Sequence, residues 1–129
     1  MVSIDIGAHM DGYAALAGHT LIVGGTAKGR QADCILAAAN AFKAITNLMQ
    51  PGVNNNELTK SIEKVMKQYD CEPLTGVVSY KIRKDLIDGV GGYILNKAIP
   101  AHKPKDFDLA PGDVFCIDVC ASTGKGLPG

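Results

Sequence analysis

The sequence contains no tryptophan and few other aromatic residues, with three Phe and four Tyr among 129 residues. It also lacks an excess of either charge, because 13 Lys and Arg balance 13 Asp and Glu. A neutral chain does not bind nucleic acid or anionic lipid through its bulk charge, although a local basic cluster remains compatible with such binding. No hydrophobic run approaches the roughly 20 residues that cross a bilayer. The first residues do not have the pattern of a secretory signal, so we expect neither a membrane span nor secretion.

The four cysteines do not have the spacing of a structural zinc site, because no Cys-x-x-Cys pair occurs. Secreted disulfide scaffolds carry more cysteines in shorter chains. Cys34 lies in a helical pattern, and Cys116 and Cys120 lie on one face of an apolar run. We therefore predict free, buried thiols in a reducing compartment.

Glycine-rich segments do not satisfy the phosphate-binding motifs. Lys28 and Lys125 are each followed by Gly, and neither has a glycine at the required upstream position. The segment 89–92 lacks the last glycine of a dinucleotide fingerprint. These segments are more typical of turns than of nucleotide sites.

Apolar residues make up 47% of the chain, which is enough for one core. Val2 to Val23 predicts a β-hairpin around an Asp11-Gly12 turn. Gln31 to Met49 predicts a helix, and a second helix is expected from an Asn56 N-cap to about Tyr69. The predicted apolar positions of the first helix are Ile35, Ala38, Phe42, Ile45 and Met49, and those of the second are Leu58, Ile62, Val65, Met66 and Tyr69.

The second half of the chain predicts short strands. Those between Pro73 and Ile99 include Leu86-Ile87 and are broken by Gly76 and Gly89. Asp113 to Ala121 is apolar on both faces, which predicts a strand inside a sheet that is covered on both sides. The order β-β-α-α-β-β predicts the α+β class. Because an interior strand at the chain end would leave an open edge, we expect residues 1–129 to be one partial domain of a larger fold.

Asp5 and Asp118 are each embedded in an apolar strand pattern. A buried carboxylate is unfavourable unless it is paired, hydrogen-bonded or bound to a metal. Metal ligation or acid–base chemistry is one interpretation, and a structural hydrogen bond is the commoner one. A triad that combines His9 with Ser79 or Cys116 has no support from the spacing, and His102 is expected to be exposed.

Residues 81–105 contain six basic residues against two acidic ones. Such a surface binds phosphates in some proteins and is a solvated strand face and loop in more of them. The segment has a single aromatic residue, Tyr93, and so lacks a series of stacking platforms for bases. The basic residues of this segment are Lys81, Arg83, Lys84, Lys97, Lys103 and Lys105.

Several motifs in order resemble a known family. The runs IDIGAHMDGYAALAGHT and IDVCASTGKG are similar to the methionine-aminopeptidase-like, or pita-bread, proteins. GRQADCILAAANAF, MQPGVNNNELTKSIEKV, LTGVVSYKIRKDLIDG and PGDVFCIDVCASTGKG resemble its proliferation-associated, ErbB-receptor-binding branch. The resemblance covers nearly the whole chain and implies the first half of a pita-bread fold.

The resemblance also implies where metal ligands would stand. Active peptidases of this group hold two metal ions with two Asp, one His and two Glu. Asp5 matches the first Asp and Asp118 matches the first Glu, but Leu16 stands at the second Asp and Val77 at the His. The last Glu would fall beyond the residues given. Two of the four positions therefore keep a carboxylate, whereas a dinuclear hydrolase needs both metals to activate water.

By this resemblance we expect a catalytically inactive homologue without a cofactor, acting in growth control and translation. It would bind ribosomes, structured RNA and protein partners in the cytoplasm and nucleus, with Lys81 to Lys105 as the contact surface. The alternative is a methionine aminopeptidase with an altered site for Co, Mn, Zn or Fe. A third possibility is one weakly bound metal at Asp5 and Asp118 without hydrolysis. Self-association through open sheet edges is also expected.

Overall fold

The computed structural model describes residues 1–87, 91–99 and 104–127. Within these ranges there are two helices and seven strands. The strands form three antiparallel sheets, β1-β2, β3-β7 and β5-β4-β6. The mixed content confirms the predicted α+β class. The elements are β1 (Val2–Met10), β2 (Tyr13–Leu21), α1 (Arg30–Leu48), α2 (Asn55–Lys67), β3 (Glu72–Pro73), β4 (Val78–Ile82), β5 (Tyr93–Leu95), β6 (Val114–Cys116) and β7 (Ala121–Ser122).

The predicted hairpin is confirmed as β1 and β2. The two strands pair from Val2 with Leu21 to Met10 with Tyr13. Asp11 and Gly12 have φ values of 49° and 83°, as a two-residue hairpin turn of the I′ kind requires. Both are residue types that tolerate positive φ, so the turn sequence fixes the register of the whole hairpin.

Helix α1 packs against α2 through a face that coincides only in part with the predicted one. Ile45 is fully buried as predicted and Met49 packs against the core, but the other buried residues are Ala37 and Ala41, and Phe42 is 46% exposed. The prediction of Phe42 in the core is therefore wrong. In an Ala-rich helix the small residues allow two helices to approach closely, so they are buried at the expense of a larger neighbour.

Helix α2 buries Leu58, Ile62 and Met66 as predicted. Its N-cap is Asn54, whose side chain accepts a hydrogen bond from the backbone N–H of Asn56, so the prediction of Asn56 as the cap is wrong. Three consecutive asparagines offer three candidate caps, and only the backbone course selects one. The helix ends at Lys67, two residues before the predicted end.

The predicted continuous strand from Asp113 to Ala121 is wrong, because the segment changes its partner. Its first part, β6, pairs with β4, and its last part, β7, pairs with β3. Between them the backbone N–H of Asp118 donates to Ser79 Oγ at 2.9 Å, and Ser79 Oγ donates to the Asp118 carbonyl at 3.2 Å. A side chain thus replaces the strand hydrogen bonds. Coverage on both faces is also wrong, because Val114 is 55% exposed.

Other short-strand predictions have mixed outcomes. Gly76 interrupts the extended backbone before β4, as predicted, because its φ is 88°. Leu86-Ile87 is not a strand, because Arg83 and Leu86 exchange backbone hydrogen bonds of 3.0 Å in a tight turn. Gly89 lies outside the described residues.

The four cysteines are free thiols, as predicted, but only Cys71 is buried. The other three are half-buried. Among the described residues, no helix combines the length and the apolarity needed to cross a bilayer.

Candidate functional site

Asp5 lies on one face of the hairpin, directly opposite Gly18. Directly paired residues of an antiparallel ladder point to the same face. A Cβ added to Gly18 would stand 2.7 Å from Asp5 Oδ1, so the absence of a side chain at this position gives the carboxylate its space. A side chain at position 18 would therefore displace the Asp5 carboxylate from its present position.

Leu16 occupies the neighbouring pair on the same face. It is paired with Gly7, two residues along β1 from Asp5, and its Cδ2 lies 3.2 Å from where a Gly7 Cβ would stand. Diagonal neighbours of this kind are within reach of one another across a ladder. A carboxylate at position 16 would thus share a site with Asp5, but leucine offers no lone pair to a metal ion.

Asp118 lies in the segment between β6 and β7. Its Oδ1 accepts a hydrogen bond from Cys120 Sγ at 3.5 Å. Burial, the charge of Asp118, the hydrogen bond with Asp118 and the charge of Asp5 together raise the pKa of the Cys120 thiol to about 11. The charges of both predicted site residues therefore act on the same thiol.

The thiols nearby are poor metal ligands in this environment. Burial, followed by the neighbouring Cys71, raises the pKa of Cys34, whose Sγ donates to the Ala121 carbonyl at 3.2 Å. Metals bind the thiolate, and a raised pKa keeps the thiol protonated. Over residues 1–87, 91–99 and 104–127, no three or more His, Cys, Asp or Glu side chains converge on a possible metal position. The donor set does not fit a dinuclear metal centre.

Two polar residues, Ser79 and Asn96, hold this region together, a role that the sequence did not indicate for either. Ser79 binds the backbone of Asp118, as described above, so its hydroxyl is already engaged by that backbone. Asn96 is fully buried, and its Nδ2 donates to the carbonyls of Leu74 at 3.1 Å and Cys120 at 2.7 Å. It therefore ties the segment before Val77 to the segment after Asp118. The only sequence signal for this role is a polar residue next to the apolar run 93–95.

A second pair of side chains lies on the neighbouring strands. Tyr80 and Cys116 are directly paired between β4 and β6. A hydrogen bond with Cys116 is the main cause that raises the pKa of Tyr80, with burial and the charge of Asp118 adding to it. With its pKa raised, the Tyr80 hydroxyl supplies neither an anionic ligand nor a base near neutral pH.

A cleft of about 420 Å³ lies between the hairpin and the turn at residues 83–86. The turn is fixed to the hairpin because the Asp85 N–H donates to the Gly12 carbonyl at 2.9 Å. Apart from His9 and Asp85, the lining is apolar or glycine, and it includes Leu16. The position that carries a metal ligand in the peptidases thus forms part of an apolar wall here.

The predicted basic residues do not have equal freedom. Lys81 forms an ion pair with Asp113, and its hydrogen bond lowers the pKa of that carboxyl group. Lys97 pairs with Glu72 at 2.8 Å. Lys84 Nζ lies 5.7 Å from the centre of the Tyr13 ring.

The remaining basic residues of this stretch are either exposed or outside the residues that the structure describes. Arg83 and Lys105 are exposed and have no ion-pair partner within the described ranges. Lys103, like His102, is outside the described residues. Within the described part of the stretch, the charge available to a partner is therefore concentrated at the 83–84 turn and at Lys105.

Comparison with known proteins places the chain in a family. Residues 1–119 match metallopeptidase family M24. "ERBB-3 binding protein 1" of Arabidopsis thaliana is 39% identical over 99% of this chain, and "Proliferation-associated protein A" of Dictyostelium discoideum is 37% identical over 98% of it. The chain spans about a third of the length of these relatives, 33% and 34% respectively.

A solved structure of a thermophilic Arx1 superposes with a TM-score of 0.84 at 26% identity, covering 97% of this chain and 40% of the other. These findings confirm the predicted pita-bread fold and the resemblance to the proliferation-associated, ErbB-receptor-binding branch. The chain belongs to metallopeptidase family M24.

Proposed function

We propose that this chain is part of a non-catalytic member of the family, which binds structured RNA or ribosomes and protein partners in the cytoplasm and nucleus. The observation that carries the proposal is Leu16, which stands beside Asp5 on the face where a second carboxylate would have to lie. An aminopeptidase of this kind needs two ions to orient and activate water. Without oxygen or nitrogen donors at positions 16 and 77, neither ion has enough ligands.

No resident metal or other cofactor forms part of this proposal. The donor set supports this view, because two carboxylates with protonated thiols are a weak set for a transition metal. A binding role is supported by the name of the Arabidopsis relative, which describes a protein that binds ERBB-3. Self-association through the open strand edges remains an expectation for the isolated chain.

A second candidate is a metallopeptidase with an altered site for Co, Mn, Zn or Fe. It is favoured by one observation, namely that Asp5 and Asp118 both act on Cys120. On this second candidate, the two carboxylates hold one divalent ion. The ion stabilises the folded state because it binds that state and not the unfolded chain.

Peptide hydrolysis distinguishes the two candidates. The purified protein is incubated with a Met-Ala-Ser peptide and Co²⁺ or Mn²⁺, and release of methionine is followed by chromatography. We expect no release above that of the metal alone. Turnover that is abolished by Asp5→Ala, but kept by the matched carboxylate removal Asp33→Ala, would establish the peptidase instead.

The binding role is tested by sedimentation with ribosomes and by RNA binding at increasing salt. Neutralising Lys81, Arg83 and Lys84 together should weaken a salt-sensitive association. Because Lys81 is already paired with Asp113, we expect most of the loss from Arg83→Gln and Lys84→Gln. Binding that is unchanged in the triple variant would exclude this surface.

A further inference from the structure

Two thiols lie together where the start of α1 contacts the connection between α2 and β3. Cys34 belongs to α1 and is half-buried, whereas Cys71 follows α2 and is only 2% exposed. Cys34 packs against the core cluster that contains Cys71. Burial is the largest cause that raises the pKa of Cys34, and the charge of Cys71 and a hydrogen bond with its thiol come next. The two sulfur atoms are therefore close neighbours, and we call these two residues the thiol pair.

The side chain of Arg30 fixes the position of Cys71 relative to α1. Its Nη1 donates to the Tyr69 carbonyl at 2.9 Å, and its Nη2 donates to the Asp70 carbonyl and to Cys71 Sγ, the latter at 3.9 Å. Arg30 and Cys34 are four residues apart in α1, so they lie on one face of the helix. Cys71 is thus held against the same face of α1 that carries Cys34.

The two thiols differ in their access to dissolved reagents. Cys34 is partly open to solvent. Cys71 is covered, with the guanidinium of Arg30 against its sulfur. A small molecule therefore reaches Cys34 first, and Cys71 reacts through the neighbouring sulfur. An accessible thiol beside a second, resolving thiol is the usual arrangement of a reversible oxidation site.

We propose that the thiol pair is an oxidation site, at which Cys34 and Cys71 form a reversible disulfide by exchange with a small-molecule disulfide of the glutathione class. Cys34 loses its proton to solvent, attacks one sulfur of the reagent and expels one glutathione thiolate. Cys71 then loses its proton, attacks the Cys34 sulfur of the mixed disulfide and expels the second glutathione thiolate. Two electrons pass from the thiol pair to the reagent, and the two protons end on the two glutathione thiols.

The other two cysteines are engaged elsewhere. Cys116 is paired with Tyr80 between β6 and β4. Cys120 Sγ donates to Asp118 Oδ1 at 3.5 Å, and the charge of Cys34 is the smallest of the causes that raise the pKa of Cys120. The closest partner for Cys34 is therefore Cys71.

Oxidation of the thiol pair would change the fold in two ways. The Cys34 thiol now donates to the Ala121 carbonyl in β7 at 3.2 Å, and a disulfide sulfur has no proton to donate, so this link between α1 and β7 is lost. The new bond also closes a loop that contains most of α1 and all of α2. Such a loop restricts the unfolded chain and thereby stabilises the folded one. This inference is independent of the proposed function.

The test equilibrates the purified protein with mixtures of reduced and oxidised glutathione at about pH 8.5, where a larger share of thiols is ionised than at neutral pH. The samples are quenched with acid, blocked with N-ethylmaleimide in denaturant and digested with trypsin without reduction. The Lys and Arg positions put Cys34 in peptide 31–43, Cys71 in peptide 68–81, and both Cys116 and Cys120 in peptide 106–125. Mass spectrometry therefore distinguishes the proposed disulfide from its competitors.

We expect peptide 31–43 linked to peptide 68–81 in oxidising mixtures, reversal by reduced glutathione, and a melting temperature higher by about 5 to 15 °C in the oxidised protein. Cys71→Ala should stop the reaction at the mixed disulfide, so that peptide 31–43 carries glutathione. Cys34→Ser should leave the covered Cys71 unmodified. Cys116→Ser, which removes another half-buried thiol, should change none of these results. Circular dichroism checks that each variant is folded.

The folded protein should also become half-oxidised in a mixture about tenfold or more less oxidising than the same protein in urea requires, because the fold brings the two sulfurs together. Equal requirements in the two states would overturn the proposal. Linkage of peptide 31–43 to peptide 106–125, linkage only between separate chains, or no linkage in the folded protein would overturn it as well. None of these outcomes affects the proposed function, which is tested by peptide hydrolysis and by binding.

Discussion

The helix pair and the hairpin contrast in how their apolar residues are used. Ala37, Ile45 and Ile62 are fully buried in the core that α1 and α2 share. In the hairpin, Ile6 is 66% exposed and Met10 is 77% exposed. The helix pair therefore supplies much of the stabilising burial in the described chain, whereas the hairpin carries Asp5 and Leu16 on strands whose large apolar side chains are mostly exposed.

The largest effect should come from truncating a core residue of the helix pair. Ile62→Ala leaves a cavity at a fully buried site and should lower the free energy of unfolding by about 2 to 5 kcal/mol. Ile6→Ala in the hairpin should change it by less than about 0.5 kcal/mol. Urea unfolding of both variants measures the difference. Similar losses in the two variants would remove the contrast between the regions.

A second matched pair compares two glycines with positive φ. Gly126 has a φ of 70°, and an added Cβ would stand 2.3 Å from the Pro73 carbonyl oxygen next to the core. Gly126→Ala should cost about 2 to 4 kcal/mol, combining backbone strain and overpacking. Gly24, after the hairpin, has a φ of 75° and no atom near the added Cβ, so Gly24→Ala should cost only about 1 kcal/mol. Equal costs by thermal unfolding would mean that the contact with Pro73 is unimportant.

A smaller effect on the free energy of unfolding, dependent on pH, is expected from the ion pair between Lys81 in β4 and Asp113, which directly precedes β6. The hydrogen bond from Lys81 lowers the pKa of Asp113 in the folded state. The pair therefore stabilises the fold above the unfolded carboxyl pKa of about 3.9, and this contribution is lost as the pH falls through the folded pKa.

Lys81→Met tests this pair by unfolding at neutral and acidic pH. It should lower stability at pH 7 by about 1 kcal/mol and leave stability at low pH nearly unchanged. A loss of the same size at both pH values would contradict the ionic origin of the effect.

The smallest effect concerns the rate at which the Cys120 thiol is alkylated. With its pKa raised to about 11, Cys120 should be alkylated slowly by iodoacetamide at pH 8. Asp118→Asn removes a nearby negative charge, lowers the pKa of the thiol, and should speed alkylation by about two- to threefold. Asp5→Asn should act in the same direction but less strongly. Mass spectrometry of the peptide that contains Cys120 measures both rates, and an unchanged rate in both variants would separate the carboxylates from the thiol.

Local signals in the sequence were sufficient for the hairpin and for the presence of both helices, whose ends were predicted to within about two residues. The backbone preferences of Asp11 and Gly12 define the turn of the hairpin, and the spacing of Leu58, Ile62 and Met66 defines the buried face of α2. Long-range contacts determine how the strands after α2 pair. The change of partner at Asp118 depends on Ser79, which is 39 residues away, and no local pattern indicates it.

The two carboxylates of the candidate site, Asp5 and Asp118, could be singled out from the sequence because each lies in an apolar strand pattern. Only the family resemblance pointed to position 16, and the register of β1 with β2 then explains why that position matters. The ion pairs of Lys81 and Lys97 depend on acidic residues from other strands or turns, so sequence alone overestimates the free charge of that stretch.

The metal content of the purified protein tests the central claim most directly. The protein is equilibrated with Mn²⁺ or Co²⁺, freed of unbound ions and analysed by plasma mass spectrometry, alongside Asp5→Ala. Because leucine and valine replace two ligands, we predict far less than one ion per chain and no difference between the two proteins. Two ions per chain in the unmodified protein, lost in Asp5→Ala, would contradict the account and identify a working metal centre.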